Sequence, residues 1–517
     1  MAAEMAEKQE YPPLSPAKLG LVTMSLALAV FMNVLDISIA NVSIPTIAGD
    51  LAVSANQGTW IITSFAVSNA VAVPISGWLA KRYGEVRLFV VCTLLFTLFS
   101  FLCGAALNFP MLLLARALQG AAAGPMIPLS QSLMLSNYPR ERHGFANGIW
   151  GMTAVVGPVA GPVLGGWITD DYAWQWIFYI NIPFGLLAAF GTWTILRKRE
   201  TAVVRKTIDA VGLVLLILGV GALQIMLDKG NDFGWFGSNE IVVLAIIAAF
   251  AMSLFIAWEL TDDDPLVDLR LFGQRNFTVA SIAMTFGYMA YFSGVVLLPL
   301  WLQTVQGYDP TWAGITTASL GILGIFFSPI IGRLVDRFDL RLIVTFGMVL
   351  FAVLSFLKSD ANTDISFERL FMTRLPWGLA MSCFFIPLIV LSLDGIPRNG
   401  VAAASSLFNF VRLIALSMGT SISVALWDAR EAFHDHVISS TVPDNSSLAH
   451  QWLAHAEQLG ISQAQGLAIL AHRIKQQAFM LGLNEMYWLA GWLFVGLTVL
   501  VWFSRPHRNR GPLPTAH

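Results

Sequence analysis

The chain has 517 residues, of which 56% are hydrophobic and only 12% are charged, whereas an ordinary soluble domain carries roughly 25% charged residues. This composition excludes a soluble globular fold and favours a membrane protein with many spanning segments. The 30 basic and 32 acidic residues leave a formal net charge of -2, so the chain lacks the basic field that nucleic acid would require, and no nucleic-acid partner is expected.

Fourteen uncharged or nearly uncharged runs follow one another along the chain, each of about the 20 residues that cross ~30 Å of hydrocarbon. A closed barrel would instead show alternating segments of ~10 residues, so the spans are predicted to be helices. The predicted spans are 19–44, 58–80, 88–107, 110–135, 145–168, 176–196, 208–228, 239–258, 277–301, 311–331, 341–357, 369–392, 401–427 and 479–503. Lys and Arg concentrate in alternate loops, which predicts that both termini are cytoplasmic.

The chain also contains an internal repeat. A basic turn follows the second and tenth spans, and about forty residues later each half carries Arg-x-x-x-Gly inside a span, at Arg116 and at Arg374. The turns contain Gly77, Gly84, Gly332, Asp336 and Arg337. The repeat predicts two six-helix bundles with two inserted helices, and parallel halves of this kind place a substrate site at their interface near the membrane midplane.

The predicted domain organisation follows from this repeat. It comprises a cytoplasmic tail (1–18), an N-terminal six-helix bundle (19–200), two inserted helices (201–262), a C-terminal six-helix bundle (263–503) with an outer loop (428–478), and a second cytoplasmic tail (504–517). Within the loop, 448–459 has apolar residues at helical spacing, which predicts an amphipathic helix on the membrane or against a partner.

Asp36 interrupts the first span, whose other strongly polar side chains are Asn33 and Asn41. A carboxylate in a span costs roughly 2.5–3.5 kcal/mol on insertion scales, so it must face a cavity or a partner. Because burial disfavours the charged form of a carboxyl group, Asp36 is predicted to take up and release a proton. The alternative is a structural carboxylate that is permanently paired with an arginine.

Arg116 lies at a depth similar to that of Asp36, ~9 Å against ~13 Å from the outer ends of their spans. Because arginine keeps its proton, its predicted role is to stabilise deprotonated Asp36 and to be displaced by a proton or substrate. A fixed salt bridge between helices is the alternative. Arg374 has no deep acidic partner in the sequence, so it is expected to be structural and able to extend outward.

The predicted substrate cavity lies at the interface of the bundles, because flexible apolar and aromatic walls accept varied ligands. Its candidate residues are Asn33, Asn41, Trp60, Phe65, Tyr288, Tyr291, Trp377, Phe408, Asn409 and Arg412. Arg412, ~16 Å deep in its span, is either a partner for an anionic substrate or a lock between helices. Glu485 in the last span is a second candidate carboxylate.

No metal site is predicted. Cys92, Cys103 and Cys383 lie in apolar runs without paired spacing. The histidines of the loop 428–478 lack the i,i+3 or i,i+4 spacing of a metal pair.

Five motifs, in the same order as in the family, give the chain its resemblance to the major facilitator superfamily. They are 35–45 in the first span, 77–87 in the loop after the second, 116–120 in the fourth, 157–166 in the fifth and 174–185 at the start of the sixth. The fifth-span motif contains Gly157, Pro158, Gly161, Pro162, Gly165 and Gly166. Lys81 stands where the general form of the loop motif has Asp. Within the superfamily the chain is similar to the fourteen-span drug:proton antiporter family, typified by the EmrB multidrug exporter.

This resemblance implies an all-α major facilitator fold and proton-coupled export of hydrophobic small molecules across the bacterial inner membrane. It implies a conformational role for the Gly and Pro residues of the fifth span. It also implies no cofactor beyond the proton gradient, contact with membrane lipids, and a periplasmic adaptor (an EmrA-like membrane fusion protein) with an outer-membrane channel as partners.

Other functions remain open at this point. One is the export of a single endogenous molecule, such as a siderophore, a fatty acid or another organic anion. Another is a gradient-independent channel or assembly subunit. An ATP-driven pump is disfavoured because the chain contains no Gly-Lys-Ser/Thr phosphate loop, and an enzyme is not expected because no cluster of His, Asp and Glu lies at a common membrane face.

Overall fold

The computed structural model describes residues 12–203, 209–262, 265–308, 310–397, 400–441, 447–458 and 461–506. Within these residues the chain forms helices and no strand. Backbone groups in a bilayer must be satisfied within the protein, and a helix does this within each span. The fold is therefore the all-helical one that the hydropathy pattern predicts.

Eighteen α-helices are numbered here in chain order. They are α1 (Pro16–Asp50), α2 (Ala55–Gly58), α3 (Trp60–Tyr83), α4 (Glu85–Gly104), α5 (Phe109–Ala123), α6 (Met126–Asn137), α7 (His143–Asp171), α8 (Trp176–Tyr179), α9 (Asn181–Leu196), α10 (Ala210–Lys229), α11 (Asn239–Thr261), α12 (Arg275–Thr304), α13 (Pro310–Val335), α14 (Leu340–Lys358), α15 (Phe367–Leu393), α16 (Val401–Thr441), α17 (Ser447–Gln458) and α18 (Gln463–Val501). Short 3₁₀ helices lie at Arg140–Arg142, Trp235–Gly237 and Leu269–Gly273.

Thirteen stretches of the described residues are long and apolar enough to cross a membrane. The predicted fifth span is not among them, but it corresponds to α7, whose 29 residues extend about 43 Å at 1.5 Å per residue. The predicted fourth span divides into α5 and α6 at Gly124 and Pro125, and the sixth divides into α8 and α9. The count of about fourteen helices thus agrees with the structure.

The region 428–478, predicted to be a hydrophilic outer loop, is largely helical in its described part. α16 continues to Thr441 and α18 begins at Gln463, while α17 forms the helix predicted for 448–459. Residues 442–446 and 459–460 lie outside the described part of the chain. The sequence places the span ends by hydropathy alone, and polar helical extensions beyond the membrane leave no such signal.

The two halves repeat the same packing. In the first half α1 packs against α7 and α3 against α5, and in the second α12 packs against α16 and α13 against α15. The halves meet where α7 packs on α13 and α3 on α16. The inserted helices α10 and α11 pack on each other, and α10 also contacts α3 and α16.

Contacts between the halves concentrate at the end of the molecule that carries the basic turns, called here the basic end. There the Ser76 and Ser406 hydroxyls lie 2.6 Å apart, and Ser405 donates a 2.5 Å hydrogen bond to Gln131. The Trp150 and Phe385 rings stack across the same interface at 6.1 Å. The molecule is therefore closed between its halves at the basic end.

Candidate functional site

Asp36 and Arg116 form a buried ion pair inside the first bundle. The Arg116 Nη1 lies 2.6 Å from the Asp36 Oδ2, and both residues have no solvent-exposed surface. The similar depth expected from the sequence therefore brings the two side chains together. A buried pair requires further hydrogen bonds, because removal of both charges from water is costly.

Two amides complete the shell around the carboxylate. The Gln119 Nε2 and the Asn181 Nδ2 donate to the Asp36 Oδ1 at 3.0 and 2.9 Å. Arg116 also donates to the Gln119 Oε1 at 2.8 Å. Asp36 thus accepts hydrogen bonds from three donors on two other helices.

The motif-based prediction assigned no role to Gln119 and Asn181, although both lie in motifs that carry the resemblance. A signal for each was present in the sequence. Gln119 is three residues after Arg116 and therefore on the same helix face, and a buried amide in a span requires a hydrogen-bonding partner.

Arg116 is fixed by more than its carboxylate. Its Nε donates to the Ile61 carbonyl oxygen at 3.1 Å. Its guanidinium carbon lies 4.4 Å from the centroid of the Phe65 ring and 5.5 Å from that of Phe178. Phe65, predicted to line the substrate cavity, is thus a buried packing partner of Arg116, and its part in substrate binding stays a prediction.

The glycine-rich helix α7 lies directly against the turn of α1 that carries Asp36. A Cβ built on Gly157 would lie 2.6 Å from Val34, one on Gly161 would lie 2.4 Å from Ser38, and one on Gly165 would lie 2.8 Å from the Ile39 oxygen. Such distances leave no room for a side chain. Gly166 differs, because no atom lies within 4 Å of its Cβ position. The side chains of Pro158 and Pro162 lie outside the described part of the structure.

The residues of the basic turns lie where the halves meet. A Cβ on Gly77 would lie 2.7 Å from the Ala403 Cα, and one on Gly332 would lie 2.5 Å from the Gly144 oxygen. Asp336 accepts from the backbone N–H of Gly144 at 2.7 Å and from that of Phe145 at 3.2 Å.

The remaining two residues of these turns have other surroundings. Gly84 has a φ of 88°, the left-handed region that glycine tolerates best, and links α3 to α4. Arg337 is exposed.

Arg412 lies at the interface of the halves. Its guanidinium carbon is 5.8 Å from the Trp150 ring of the first half, and 5.8 and 5.3 Å from the Tyr288 and Phe385 rings of the second. Asn409, one turn earlier, is buried and donates to the Gln131 Oε1 at 3.3 Å across the interface. These positions are compatible with a cavity role, which stays a prediction.

The other cavity candidates of the first half lie apart from this group. Asn33 is buried and donates to the Ala123 oxygen at 2.9 Å, at the end of α5. Asn41 is exposed on α1. Trp60 is half-buried, with the Lys229 ammonium 5.3 Å from its ring.

Three candidates of the second half, Tyr288, Tyr291 and Trp377, belong to a network of aromatic rings, and Phe408 lies in a separate ring pair. Tyr288 stacks on Tyr291 at 6.2 Å, and Tyr291 contacts Trp377 at 6.1 Å. Phe408 is buried against Phe277 at 6.4 Å. The network extends from Arg412 towards the opposite end of the second bundle.

Arg374, the counterpart of Arg116, is fully buried, so the expectation that it extends outward is wrong. Its Nη2 donates to the Gly294 oxygen at 3.2 Å, while its Nε and Nη1 have no partner in the described structure. α12 contains no Asp or Glu that could do for Arg374 what Asp36 does for Arg116.

Glu485 lies well inside α18, because that helix begins at Gln463. Its carboxylate pairs with Arg430 and lies 3.0 Å from the His434 Nε2. About a third of the Glu485 side chain is exposed. Its surroundings therefore differ from those of the enclosed Asp36.

Comparison with known proteins places this geometry in a wider context. The sequence profile of the Major Facilitator Superfamily matches residues 26–420. The chain is 46% identical over 510 residues to the multidrug export protein EmrB of Haemophilus influenzae, covering 98% of this chain and 99% of that one. It is also 46% identical over 502 residues to the fatty acid resistance protein FarB of Neisseria gonorrhoeae, covering 97% and 99%. Among solved structures, it resembles the human organic anion transporter MFSD10 with a TM-score of 0.59 and 12% identity, covering 94% and 100% of the two chains.

Proposed function

The chain belongs to the major facilitator superfamily, and on this premise we propose that it is a proton-coupled antiporter that exports hydrophobic drugs and toxic organic compounds across the bacterial inner membrane. Support for the exported class comes from the full-length similarity to EmrB. Support for proton coupling comes from the Asp36–Arg116 pair, which is the one observation that carries the mechanism.

Protonation of Asp36 removes the negative charge that Arg116 neutralises. The shell of three donors suits a carboxylate, and a protonated carboxyl group needs an acceptor of its own. Arg116 then remains as a buried cation without its partner, which is unfavourable in a low-dielectric interior. The proton thus changes the relative stability of arrangements of α1 and α5.

Helix α7 supplies a mechanical connection from Asp36 to the basic end. Its middle packs on α1 through Gly157 and Gly161, while its first residues bond to Asp336 of the other half. A shift of α1 on protonation therefore acts on the helix that closes the basic end. Rocking of two halves about a fixed midplane site is the mode of transport that such repeats support.

The gradient provides enough free energy for this cycle. One elementary charge is worth about 2.3 kcal/mol per 100 mV, which supports roughly a fifty-fold concentration ratio for one proton per uncharged substrate.

We expect the protein to work with a periplasmic adaptor, an EmrA-like membrane fusion protein, and with an outer-membrane channel. The helical extensions of α16 and α18 with α17 provide a surface at the end of the molecule opposite the basic turns. With both termini in the cytoplasm, that surface would face the periplasm. Copurification of the adaptor with the full chain, lost on deletion of 442–462, tests this assignment.

Transport in liposomes tests the proton coupling. Purified protein is reconstituted with a fluorescent apolar cation inside, a pH gradient is imposed, and wild type is compared with Asp36→Asn. Glu259→Gln is a matched control, because Glu259 is also fully buried but lies on the inserted helix α11. Gradient-driven dye movement that is lost only in Asp36→Asn supports the proposal. Flux that ignores the gradient, or that survives in Asp36→Asn, contradicts it.

A second candidate function is the export of an organic anion such as a fatty acid. It is favoured by the position of Arg412 between the halves and by the equal identity to FarB. Competition between the dye and a long-chain carboxylate decides between the two, with Arg412→Gln as the variant. If the anion is the substrate, Arg412→Gln reduces carboxylate export and spares the cationic dye.

A further inference from the structure

The second bundle contains a cavity that the Asp36 site does not use. It has a volume of about 180 Å³ and lies between the end of α14, the start of α15, α12 and α18, at the end of the molecule opposite the basic end. An enclosed space of roughly 150 Å³ is enough for a benzene-sized body. Its wall contains six large apolar side chains, Leu298, Leu357, Ile365, Leu370, Met480 and Leu483.

Three buried donors that line this cavity have no hydrogen-bond partner among the described residues. They are the Lys358 Nζ, the Trp301 Nε1 and the Tyr487 hydroxyl, and none of the three residues is more than 7% exposed. Buried polar groups are almost always hydrogen-bonded. An unpaired buried ammonium is especially unfavourable, so these groups indicate a missing acceptor.

In the part of the chain that the structure describes, no acidic side chain pairs with Lys358. Its ammonium lies 4.6 Å from the Trp377 ring and 5.4 Å from the Tyr487 ring. The nearby buried cation of Arg374 repels it electrostatically. Asp360 lines the rim of the cavity but is exposed and forms no ion pair with Lys358.

We propose that this cavity binds a small organic carboxylate, with its charged group at Lys358, Trp301 and Tyr487 and its apolar body against the aliphatic wall. A carboxylate oxygen accepts hydrogen bonds from all three donors. The field of Arg374 adds to the attraction of the anion and opposes binding of a cation. Rim residue Arg369 is exposed at the mouth and favours entry of an anion.

This site is separate from the proton-coupling pair, so binding there does not depend on whether the protein exports drugs. The test uses the full chain in lipid nanodiscs without any gradient. The probe is 4-phenylbutyrate, with 4-phenylbutan-1-ol, 4-phenylbutylamine and acetate as wild-type comparisons. Binding is measured from the rise in Tm with ligand concentration.

The carboxylate is expected to raise the Tm, while the alcohol, the amine and acetate do so only at concentrations at least tenfold higher. Lys358→Met is expected to weaken 4-phenylbutyrate binding at least tenfold. The control Lys475→Met, an exposed lysine 5.8 Å from the Phe479 ring on α18, leaves binding unchanged.

Several results would overturn the proposal. Equal stabilisation by the alcohol would mean that the cavity selects only apolar bulk, and equal stabilisation by acetate would mean a site for small anions. Binding that is unchanged in Lys358→Met would place the carboxylate elsewhere. If Lys358→Met does not fold, Tyr487→Phe and the wild-type head-group series still decide the question.

Discussion

Arg116 and Arg374 begin the same Arg-x-x-x-Gly pattern in the two bundles, and both are fully buried. Their glycines play matching parts, because a Cβ on Gly120 would meet the Phe65 oxygen at 2.3 Å and one on Gly378 the Leu320 oxygen at 2.1 Å. The charges are treated differently. Arg116 faces Asp36, whereas among the described residues Arg374 donates to the Gly294 carbonyl oxygen and lies 6.0 Å from the Trp377 ring.

This difference teaches that the repeat preserves the packing of the bundles and not their electrostatics. The first bundle contains a complete charge pair that one proton can alter. The second contains two buried basic side chains, Arg374 and Lys358, with no carboxylate paired to either of them among the described residues. The two halves thus share a framework but differ in how they hold their buried charges.

The largest expected effect is the difference in stability between two variants that each lack one of these arginines. Arg116→Met leaves Asp36 buried without its cation, and the loss of one partner of a buried pair costs about 3–5 kcal/mol. Arg374→Met removes an unpaired charge, so its free energy of unfolding should stay within about 1 kcal/mol of wild type. Denaturant titration of both variants in the same detergent measures this difference. Equal destabilisation would mean that Arg374 has a counter-charge that the structure does not identify.

The second prediction concerns the close helix contacts that recur in both halves. Gly161 on α7 meets Ser38, and Gly419 on α16 meets Met289, where a Cβ would lie 2.7 Å from the Cα. A valine at either site would overpack the contact and should lower the free energy of unfolding by about 1–3 kcal/mol. Only Gly161→Val displaces the turn that carries Asp36, so it should reduce dye export per folded molecule by about tenfold, equivalent to ~1.4 kcal/mol.

Gradient-driven efflux, normalised to folded protein, checks this contrast. Gly166→Val is the control on the same helix, because its Cβ position is free of neighbours. If Gly419→Val impaired transport as strongly as Gly161→Val, the two contacts would be equivalent and the special role of the first bundle would be lost.

The third prediction concerns the basic end, where Asp336 in one half stands in the repeat position of Lys81 in the other. Asp336 caps the start of α7 with charge-assisted hydrogen bonds, each worth about 1.5–3 kcal/mol. Lys81 is exposed and has no acceptor with which to cap a helix N-terminus. Asp336→Ala should therefore favour opening of the basic end, and Lys81→Ala should not.

A thiol at the interface measures the opening. Ser406→Cys is introduced after the three buried native cysteines are replaced, and its labelling by an impermeant maleimide is followed from the basic side. The loss of even one of these hydrogen bonds, about 1.5 kcal/mol, should speed labelling at least about tenfold in Asp336→Ala. Unchanged labelling would show that other contacts, such as Ser405 with Gln131, are sufficient to keep this end closed.

Much of this fold could be predicted from the sequence, because a bilayer imposes a simple length and polarity rule on each span. Asp36 and Arg116 were identifiable for the same reason, since charges are rare in spans and need partners. The repeat also predicted the two-bundle arrangement. These inferences depend on residue type and depth alone.

The rest depended on which helix faces meet, and depth does not specify this. Asn181 reaches Asp36 from α9, and Lys358 at the end of α14 turns inward although its position suggests a loop. Hydropathy does not record such contacts. The long extensions of α16 and α18 were missed for another reason, because their polar residues have the composition of a loop.

The smallest expected effect concerns the second candidate carboxylate, Glu485. Its pair with Arg430 and its contact with His434 lie in a partly exposed position, where solvent and salt screen the attraction and leave little net stabilisation. Glu485→Gln should therefore lower the Tm by no more than about 2 °C and leave gradient-driven export intact. Thermal unfolding checks the expected Tm and liposome efflux checks the expected export. Both are measured in parallel for Glu485→Gln and Asp36→Asn. Loss of export in Glu485→Gln with retention in Asp36→Asn would reverse the comparison, because the proton would then be carried in the second bundle.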